Sequence, residues 1–342
     1  MRQSSMLALA KARKDAAGRP INEDRRWLTV MAATAVAEFF WWAAAHIAGL
    51  APYPSLLTYV ALTFAGLAAA VATRKATRPG ARRCSRQSVI SGAVLVAVGG
   101  SLFLPLKFAI PGQVSFWLDA PLAAAERGLF GTDPWLLLDR VLGWAVVPMD
   151  WLYVLWLPTQ LVILFTVMLE PPGAAKSRAL MAYSLAWFLL GVAAATLFSS
   201  AGPIFFDRLY GGGDYAPLRE MLQDRGAWVV LEESDAMWSA YVRGQRGQLT
   251  GISALPSIHV AISFWIYLVA RSLAPRLAKW GFIYFCLIWL GSVQLGWHYV
   301  SDGLAGTIGM FLIWVFAGAI HGVLDRSDKR SCAAEADCPA GT

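Results

Sequence analysis

The chain has 342 residues, of which 57% are hydrophobic and only 15% are charged, and it contains sixteen tryptophans. This composition is too apolar for a soluble domain of this length and indicates an integral membrane protein. The formal net charge of +7 does not indicate a nucleic-acid partner, because the basic residues are concentrated in short segments between apolar runs.

Long apolar runs predict the fold class, an all-α polytopic membrane bundle with about eight transmembrane helices. A bilayer core of roughly 30 Å needs about twenty helical residues at about 1.5 Å each. The segments that fit this length lie at about 27–50, 54–73, 88–110, 148–169, 179–201, 257–273, 279–298 and 300–323.

Basic residues predict the orientation of these helices. They are most frequent in the tail at 1–26 and in the loop between the second and third spans. The positive-inside rule therefore places both segments, and by alternation the tail at 324–342, in the cytoplasm. We expect a multi-pass protein of the plasma (inner) membrane with both termini cytoplasmic.

Two segments interrupt the apolar runs on the predicted outer side. The segment at 111–147 mixes apolar triplets with acidic residues, which is typical of an amphipathic stretch lying along the membrane surface. The segment at 202–256 is the longest polar stretch, and its length favours a functional cap over a simple connector.

Two histidines lie near the outer ends of predicted spans. His259 begins the sixth span, His298 ends the seventh, and Asp302 begins the eighth, so all three meet at one extracytoplasmic level. In a helix, residues four apart share a face, so we expect Asp302 to orient the imidazole of His298. His298 would then attack phosphorus as a nucleophile, and His259 would protonate the departing oxygen.

The helix start before His259 also suits a phosphate. Pro256 and Ser257 precede the helix, and the free backbone N–H groups at a helix start, together with the Ser257 hydroxyl, attract anions. Two histidines and an aspartate could instead form a metal-binding facial triad. That remains the chemical alternative, although the favoured interpretation requires no metal and no cofactor.

The motifs Pro256-Ser257-Ile258-His259 and His298-Tyr299-Val300-Ser301-Asp302 resemble the second and third signatures of the type 2 phosphatidic acid phosphatase superfamily. This resemblance implies a metal-independent membrane enzyme with a six-helix core, which would occupy residues 88–323. It also implies the roles given above to His298, Asp302 and His259. The two helices within 27–87 would be N-terminal additions to that core.

Four further motifs, which are less specific than the histidine motifs, resemble the branch of this superfamily that includes inositol phosphorylceramide synthases. They are Trp117-Leu118-Asp119, Leu129-Phe130-Gly131, Pro134-Trp135 and Asp150-Trp151-Leu152-Tyr153, and they make Asp150 a possible accessory residue. Where the phosphatase pattern has Ser-Arg, this chain has Gly291-Ser292. Another basic residue would therefore bind the phosphate, and the candidates are Arg208, Lys107, Arg243 and Arg246.

The sequence thus predicts a phosphotransferase that moves a phosphoryl or phospho-headgroup unit from a phospholipid donor to a hydroxyl acceptor, in an inositolphosphotransferase-like reaction. The acceptor can be a lipid, a polyol or water, and water would make the enzyme a lipid phosphate phosphatase. A transporter or a non-catalytic scaffold is the alternative from another class. Glu38, near the middle of the first span, is expected to be neutral or partnered inside the bundle.

Overall fold

A computed structural model describes residues 2–77, 84–244 and 251–336 of the chain, and all the regular elements within these ranges are helices. The first eight helices, α1–α8, are Arg2–Ile47, Leu56–Thr77, Arg86–Gln113, Asp119–Phe130, Pro134–Leu142, Val146–Val154, Trp156–Leu169 and Ala174–Phe188. The remaining helices, α9–α15, are Ala195–Leu197, Phe206–Tyr210, Ala216–Arg225, Trp228–Val242, Ile258–Leu273, Ala278–Gln294 and Val300–Ala336.

Six helical segments in the described residues are long and apolar enough to cross a membrane. They are Glu23–Ile47, Leu56–Thr77, Arg86–Gln113, Ala174–Leu197, Pro275–Gln294 and Val300–Ser327. A seventh candidate is a bent pair, Pro134–Val154 followed by Trp156–Leu169, with an angle of 47° at the break. The predicted all-α membrane bundle is therefore confirmed.

The predicted spans differ from the observed helices in two places. The sixth, α13, has only 16 residues, and at about 1.5 Å per residue it is shorter than the roughly 30 Å hydrocarbon core. The fourth, predicted at 148–169, extends back to Pro134, so the second half of the segment predicted to lie on the surface joins the bent pair. The apolar run continues across this region, and Pro134 at the first turn of α5 gives it a helix start.

The N-terminal helices pack directly on the rest of the bundle. Helix α1 contacts α3 and α8, and α2 contacts α3 and α7. Near the start of the first span, Lys176 of α8 pairs with Asp24 of α1 at 3.0 Å, and the two side chains are only 1% and 3% exposed. Arg26 pairs with Asp325 of α15, also at 3.0 Å. These two ion pairs therefore connect α1 to α8 and to α15.

The described part of the polar segment at 202–256 contains α10, α11, α12 and the loops between them. Its apolar side chains form a second hydrophobic core with residues that precede α4, lie in α4 to α6, or follow α14. Members of this core include Phe116, Trp135, Phe205, Leu218, Val230, Leu295 and Tyr299. Because Leu295 and Tyr299 flank His298, this second core packs around the loop that carries the histidine.

Candidate active site

Three loops meet at the end of the bundle that carries His298: the loop after α9, the loop before α13, and the loop between α14 and α15. Backbone hydrogen bonds join them directly. Ala254 N–H donates to the Ser200 carbonyl at 2.7 Å, and Ile204 N–H donates to the Gly296 carbonyl at 2.9 Å. Segments that are remote in sequence are therefore held in one arrangement.

Asp119, the first residue of α4, holds the loop after α9. Its buried carboxylate accepts hydrogen bonds from Ser200 Oγ at 3.1 Å and from the N–H groups of Ala201 and Gly202 at 2.8 Å each. Burial raises the pKa of Asp119, and these hydrogen bonds oppose the rise. Gly202 has φ +99°, and a Cβ there would collide with the Trp297 carbonyl, so glycine is required for the loops to approach.

His298 and Asp302 form a buried pair. His298 Nδ1 lies 3.3 Å from Asp302 Oδ2, and the residues are 5% and 0% exposed. The same carboxylate oxygen accepts a hydrogen bond from Tyr299 N–H at 2.9 Å, as in a capping box. The prediction that His298 and Asp302 lie on one face of a helix is wrong, because His298 precedes the start of α15 at Val300. The two residues meet because Asp302 turns back toward the residues ahead of its own helix.

The environment of His298 favours the neutral imidazole. Burial, followed by the positive charge of Lys107, lowers the pKa of His298 to about 3, while a hydrogen bond with the Ala254 backbone acts in the opposite direction. A neutral imidazole keeps a lone pair on one ring nitrogen. With Nδ1 directed at Asp302, that lone pair is assigned to Nε2.

His259 lies in the first turn of α13, next to His298. The two ring centroids are 6.0 Å apart. Tyr153 stacks on the His259 ring at 4.6 Å and Trp156 packs against it at 4.2 Å, while Trp156 Nε1 donates to the His259 carbonyl at 3.1 Å. Within the described residues, His259 Nδ1 is buried with no hydrogen-bond partner. Both imidazoles are therefore held by packing, and one retains an unused nitrogen.

Both histidines line a cavity of about 550 Å³. Lys107 of α3 and Glu233 of α12 share its wall, and the rest of the lining is mainly apolar and aromatic. No ion pair involves Lys107 among the residues that the structure describes. An apolar pocket with a few convergent polar groups is the usual form of a small-molecule site.

Two further predicted site residues support neighbouring backbone. Ser257 caps α13, where its hydroxyl oxygen accepts from Val260 N–H at 3.3 Å, and its own N–H donates to the Asp302 carbonyl at 3.0 Å. Asp150 accepts from the N–H groups of Val229 and Val230 at the start of α12, at 3.0 Å each. Neither Ser257 nor Asp150 lines the cavity.

Of the predicted arginines, Arg208 and Arg243 are not on the cavity wall. Arg208 pairs with Asp235 and lies over the Trp238 ring at 5.7 Å. Arg243 is exposed, directly follows α12 and contacts Ser239 of that helix. Arg246 falls outside the described residues. Lys107, the other described basic residue expected to bind phosphate, lines the cavity together with the two histidines.

Two carboxylates near the site were not singled out from the sequence. Glu126 accepts from both the N–H and the hydroxyl of Ser301 at 2.8 Å, and so holds the first turn of α15. Glu233 lines the cavity, and burial, followed by the negative charge of Asp150, raises the pKa of Glu233. Both lie in segments predicted to be polar surface, so only the three-dimensional contacts reveal their positions.

The facial triad considered as a metal site is not assembled. In the part of the chain that the structure describes, no group of three or more His, Cys, Asp or Glu side chains is arranged to hold a metal ion. At the cavity, the described contacts instead present an imidazole–carboxylate pair, a second imidazole and an ammonium group.

The fold and the site define the class of protein. It is a helical membrane bundle in which two neighbouring histidines lie beside a buried carboxyl group. The model of the PAP2 superfamily matches residues 121–316, and the chain belongs to that superfamily, the type 2 phosphatidic acid phosphatases. Membership supports an enzyme with a lipid phosphatase or phosphotransferase type of activity. No curated protein and no solved structure matches the chain.

Proposed function

We propose that the protein is a metal-independent phosphotransferase that acts on a lipid phosphoester through a covalent phosphohistidine on His298. The observation that carries this proposal is the shared cavity, whose wall contains His298, His259 and Lys107 together. In this assignment His298 is the nucleophile, Asp302 orients it, and His259 is the general acid.

The first step forms one bond and breaks one bond. His298 Nε2 attacks phosphorus, and the bond between phosphorus and the leaving oxygen breaks. His259 gives its proton to that oxygen, while Asp302 stabilises the positive charge that develops on the His298 ring. In the second step a hydroxyl attacks the phosphohistidine, His259 takes the hydroxyl proton, and Nε2 is released.

Lys107 is the proposed phosphate-binding residue. An ammonium group in a largely apolar cavity stabilises the negative charge on the phosphoryl oxygens more strongly than it could in water. Arg208 and Arg243 are engaged elsewhere, with Asp235 and Ser239 respectively. Lys107 thus takes the place of the arginine that is missing from the family's third motif.

The proposed reaction is the transfer of a phospho-headgroup to an alcohol, in an inositolphosphotransferase-like manner. The motifs around Trp117, Gly131 and Asp150 and the replacement at Gly291-Ser292 favour this branch. The second candidate is a lipid phosphate phosphatase, which uses the same covalent intermediate and differs in having water as the acceptor. The site would face the extracytoplasmic side of the inner membrane.

A test of the function uses the protein purified in detergent with a panel of labelled phospholipids. Chelator is present throughout, and each lipid is offered with and without candidate alcohols. A new labelled lipid identifies a transferase, and free phosphate identifies the phosphatase. His298→Ala should abolish either product, whereas His46→Ala, which removes a histidine that stacks on Trp42 instead, should retain activity.

Two results of this test would contradict the proposal. Full activity of His298→Ala would show that His298 is not the nucleophile. Loss of wild-type activity in chelator, restored by a divalent cation, would favour the metal-dependent alternative.

A further inference from the structure

The cavity at the histidines continues deep into the bundle along α3. Its α3 lining runs from Lys107 at the histidine end to Leu95, a distance of about 18 Å for twelve residues at about 1.5 Å each. One leaflet provides about half of the roughly 30 Å hydrocarbon core. The cavity is therefore about as deep as the space that a single lipid chain occupies in a leaflet.

Helices α1 and α2 close this deep part. Met31, Ala35 and Glu38 of α1 line it, as do Tyr59 and Thr63 of α2. Both helices lie outside the region matched by the family model, which begins at residue 121. The wall of the chamber is thus partly formed by residues that precede the family match.

The chamber contains a buried carboxyl group that has no partner in the part of the chain that the structure describes. Glu38 is 4% exposed and lines the cavity, and no hydrogen bond or ion pair involves it among the described residues. It approaches Gly99 of α3, where an added Cβ would lie 3.2 Å from its Oε2. Gln160 and Tyr183, which hydrogen bond to each other at 2.5 Å, also line the chamber.

We propose that this chamber binds one chain of the lipid substrate and that Glu38 binds a hydrogen-bond donor, a hydroxyl or amide group, carried on that chain. The proposal rests on the proposed function, because it places the lipid phosphate at the histidines. Gly99 lies eight residues from Lys107, or about 12 Å along α3. The donor group is therefore expected well below the phosphate, within the apolar part of the lipid.

The carboxyl group of Glu38 should favour a lipid chain that carries a hydroxyl or amide group over a purely saturated chain. A carboxyl group in hydrocarbon is unfavourable when it has no hydrogen-bond partner. A purely saturated chain leaves the carboxyl group without a partner, whereas a hydroxyl or amide N–H gives the carboxyl oxygen a hydrogen bond. Glu38 accepts this bond whether it is protonated or charged. The chamber should therefore discriminate between chains of equal length by polarity.

The first experiment measures the length of the chamber by equilibrium binding of phosphonate lipids, which bear a non-hydrolysable phosphate mimic. Ala35→Phe fills the deep end beyond Glu38 and should weaken binding of long chains about tenfold or more, while short chains bind as before. Val36→Phe is the matched control, because Val36 is 54% exposed on the outer face of the same helix. Met31→Ala enlarges the same end and should shift the preference toward longer chains.

The second experiment tests Glu38 with two phosphonates of equal chain length, one of which carries a hydroxyl at the expected depth. Wild type should bind the hydroxylated lipid about tenfold more tightly, and Glu38→Leu should abolish or reverse this difference. Equal affinities in the wild type would overturn the assignment of Glu38. Chain-length profiles that are identical in Ala35→Phe and Val36→Phe would overturn the chamber itself.

These binding measurements need no turnover, so they separate the two proposals. If the phosphonates bind as expected but no lipid phosphoester is turned over, the proposed function fails and the chamber remains. If turnover is observed but chain length and polarity have no effect, the function remains and the chamber proposal fails.

Discussion

His298 contacts the Asp302 carboxyl group through Nδ1 and shares its cavity with Lys107. Burial and Lys107 keep the ring neutral, since they lower the pKa of His298 to about 3. The neutral form is the nucleophile, so His298 should remain active far below the ordinary histidine pKa of about 6.5. The same lysine is expected both to bind phosphate and to suppress protonation of the nucleophile.

Removal of Lys107 should therefore change the pH profile as well as the rate. In Lys107→Met the repulsion on the proton is lost, the pKa of His298 rises, and the neutral form disappears at a higher pH as the solution is acidified. The acid limb of the kcat/KM profile should therefore move to higher pH relative to wild type. Lys279→Met, which removes an exposed lysine at the start of α14, is the matched control. Superimposable acid limbs in all three proteins would contradict this account of His298.

At the scale of elements, Asp119 connects α4 to the loop after α9 through three hydrogen bonds. Asp119→Ala leaves buried N–H donors unsatisfied, at a cost of about 1–3 kcal/mol each. We expect a lower melting temperature and a loss of activity of tenfold or more. Asp214→Asn, which alters a carboxylate that is 55% exposed, should change little. An unaltered melting temperature in Asp119→Ala would show that this contact does not hold the loop.

The positions of the long helices and the meeting of the site residues at one end of the bundle could be predicted from the sequence. Apolar runs located the helices, because hydrocarbon admits only backbone that is internally hydrogen bonded. The motif spacing brought His298, Asp302 and His259 to one end of the bundle, and the structure places them together. The motif spacing did not reveal that His298 lies outside the helix. A spacing of four residues fits a pair within one helix, and it also fits a residue in the first turn whose side chain reaches back to the residues before the helix.

The basic residues illustrate the limit of sequence analysis. The sequence favours Arg208 over Lys107 as the phosphate ligand, although each lies near the predicted outer end of a span. The two residues differ in their surroundings in the folded protein. Arg208 pairs with Asp235, which is 27 residues away in sequence, whereas Lys107 lines the cavity. Such long-range pairings leave no periodic signal in the chain.

For the whole molecule, charge distribution predicts the orientation in the membrane. In a protein with its native cysteines replaced by serine, Glu220→Cys on α11 should react with a membrane-impermeant maleimide in intact cells. Arg326→Cys, near the C-terminal end, should react only after permeabilisation. Both positions are exposed, so accessibility to the reagent depends on the side of the membrane. The opposite labelling pattern would place the histidine site on the cytoplasmic face.

The central claim is that two histidines and an aspartate act together on phosphorus, and acid-sensitive protein labelling tests it most directly. A single turnover with a lipid carrying labelled phosphorus is quenched in base, and the label is mapped by mass spectrometry. We expect the label on His298, stable in base and lost in acid, and none in His298→Ala. Product formation in a single turnover with no label on His298, or with the label on another residue, would contradict the mechanism.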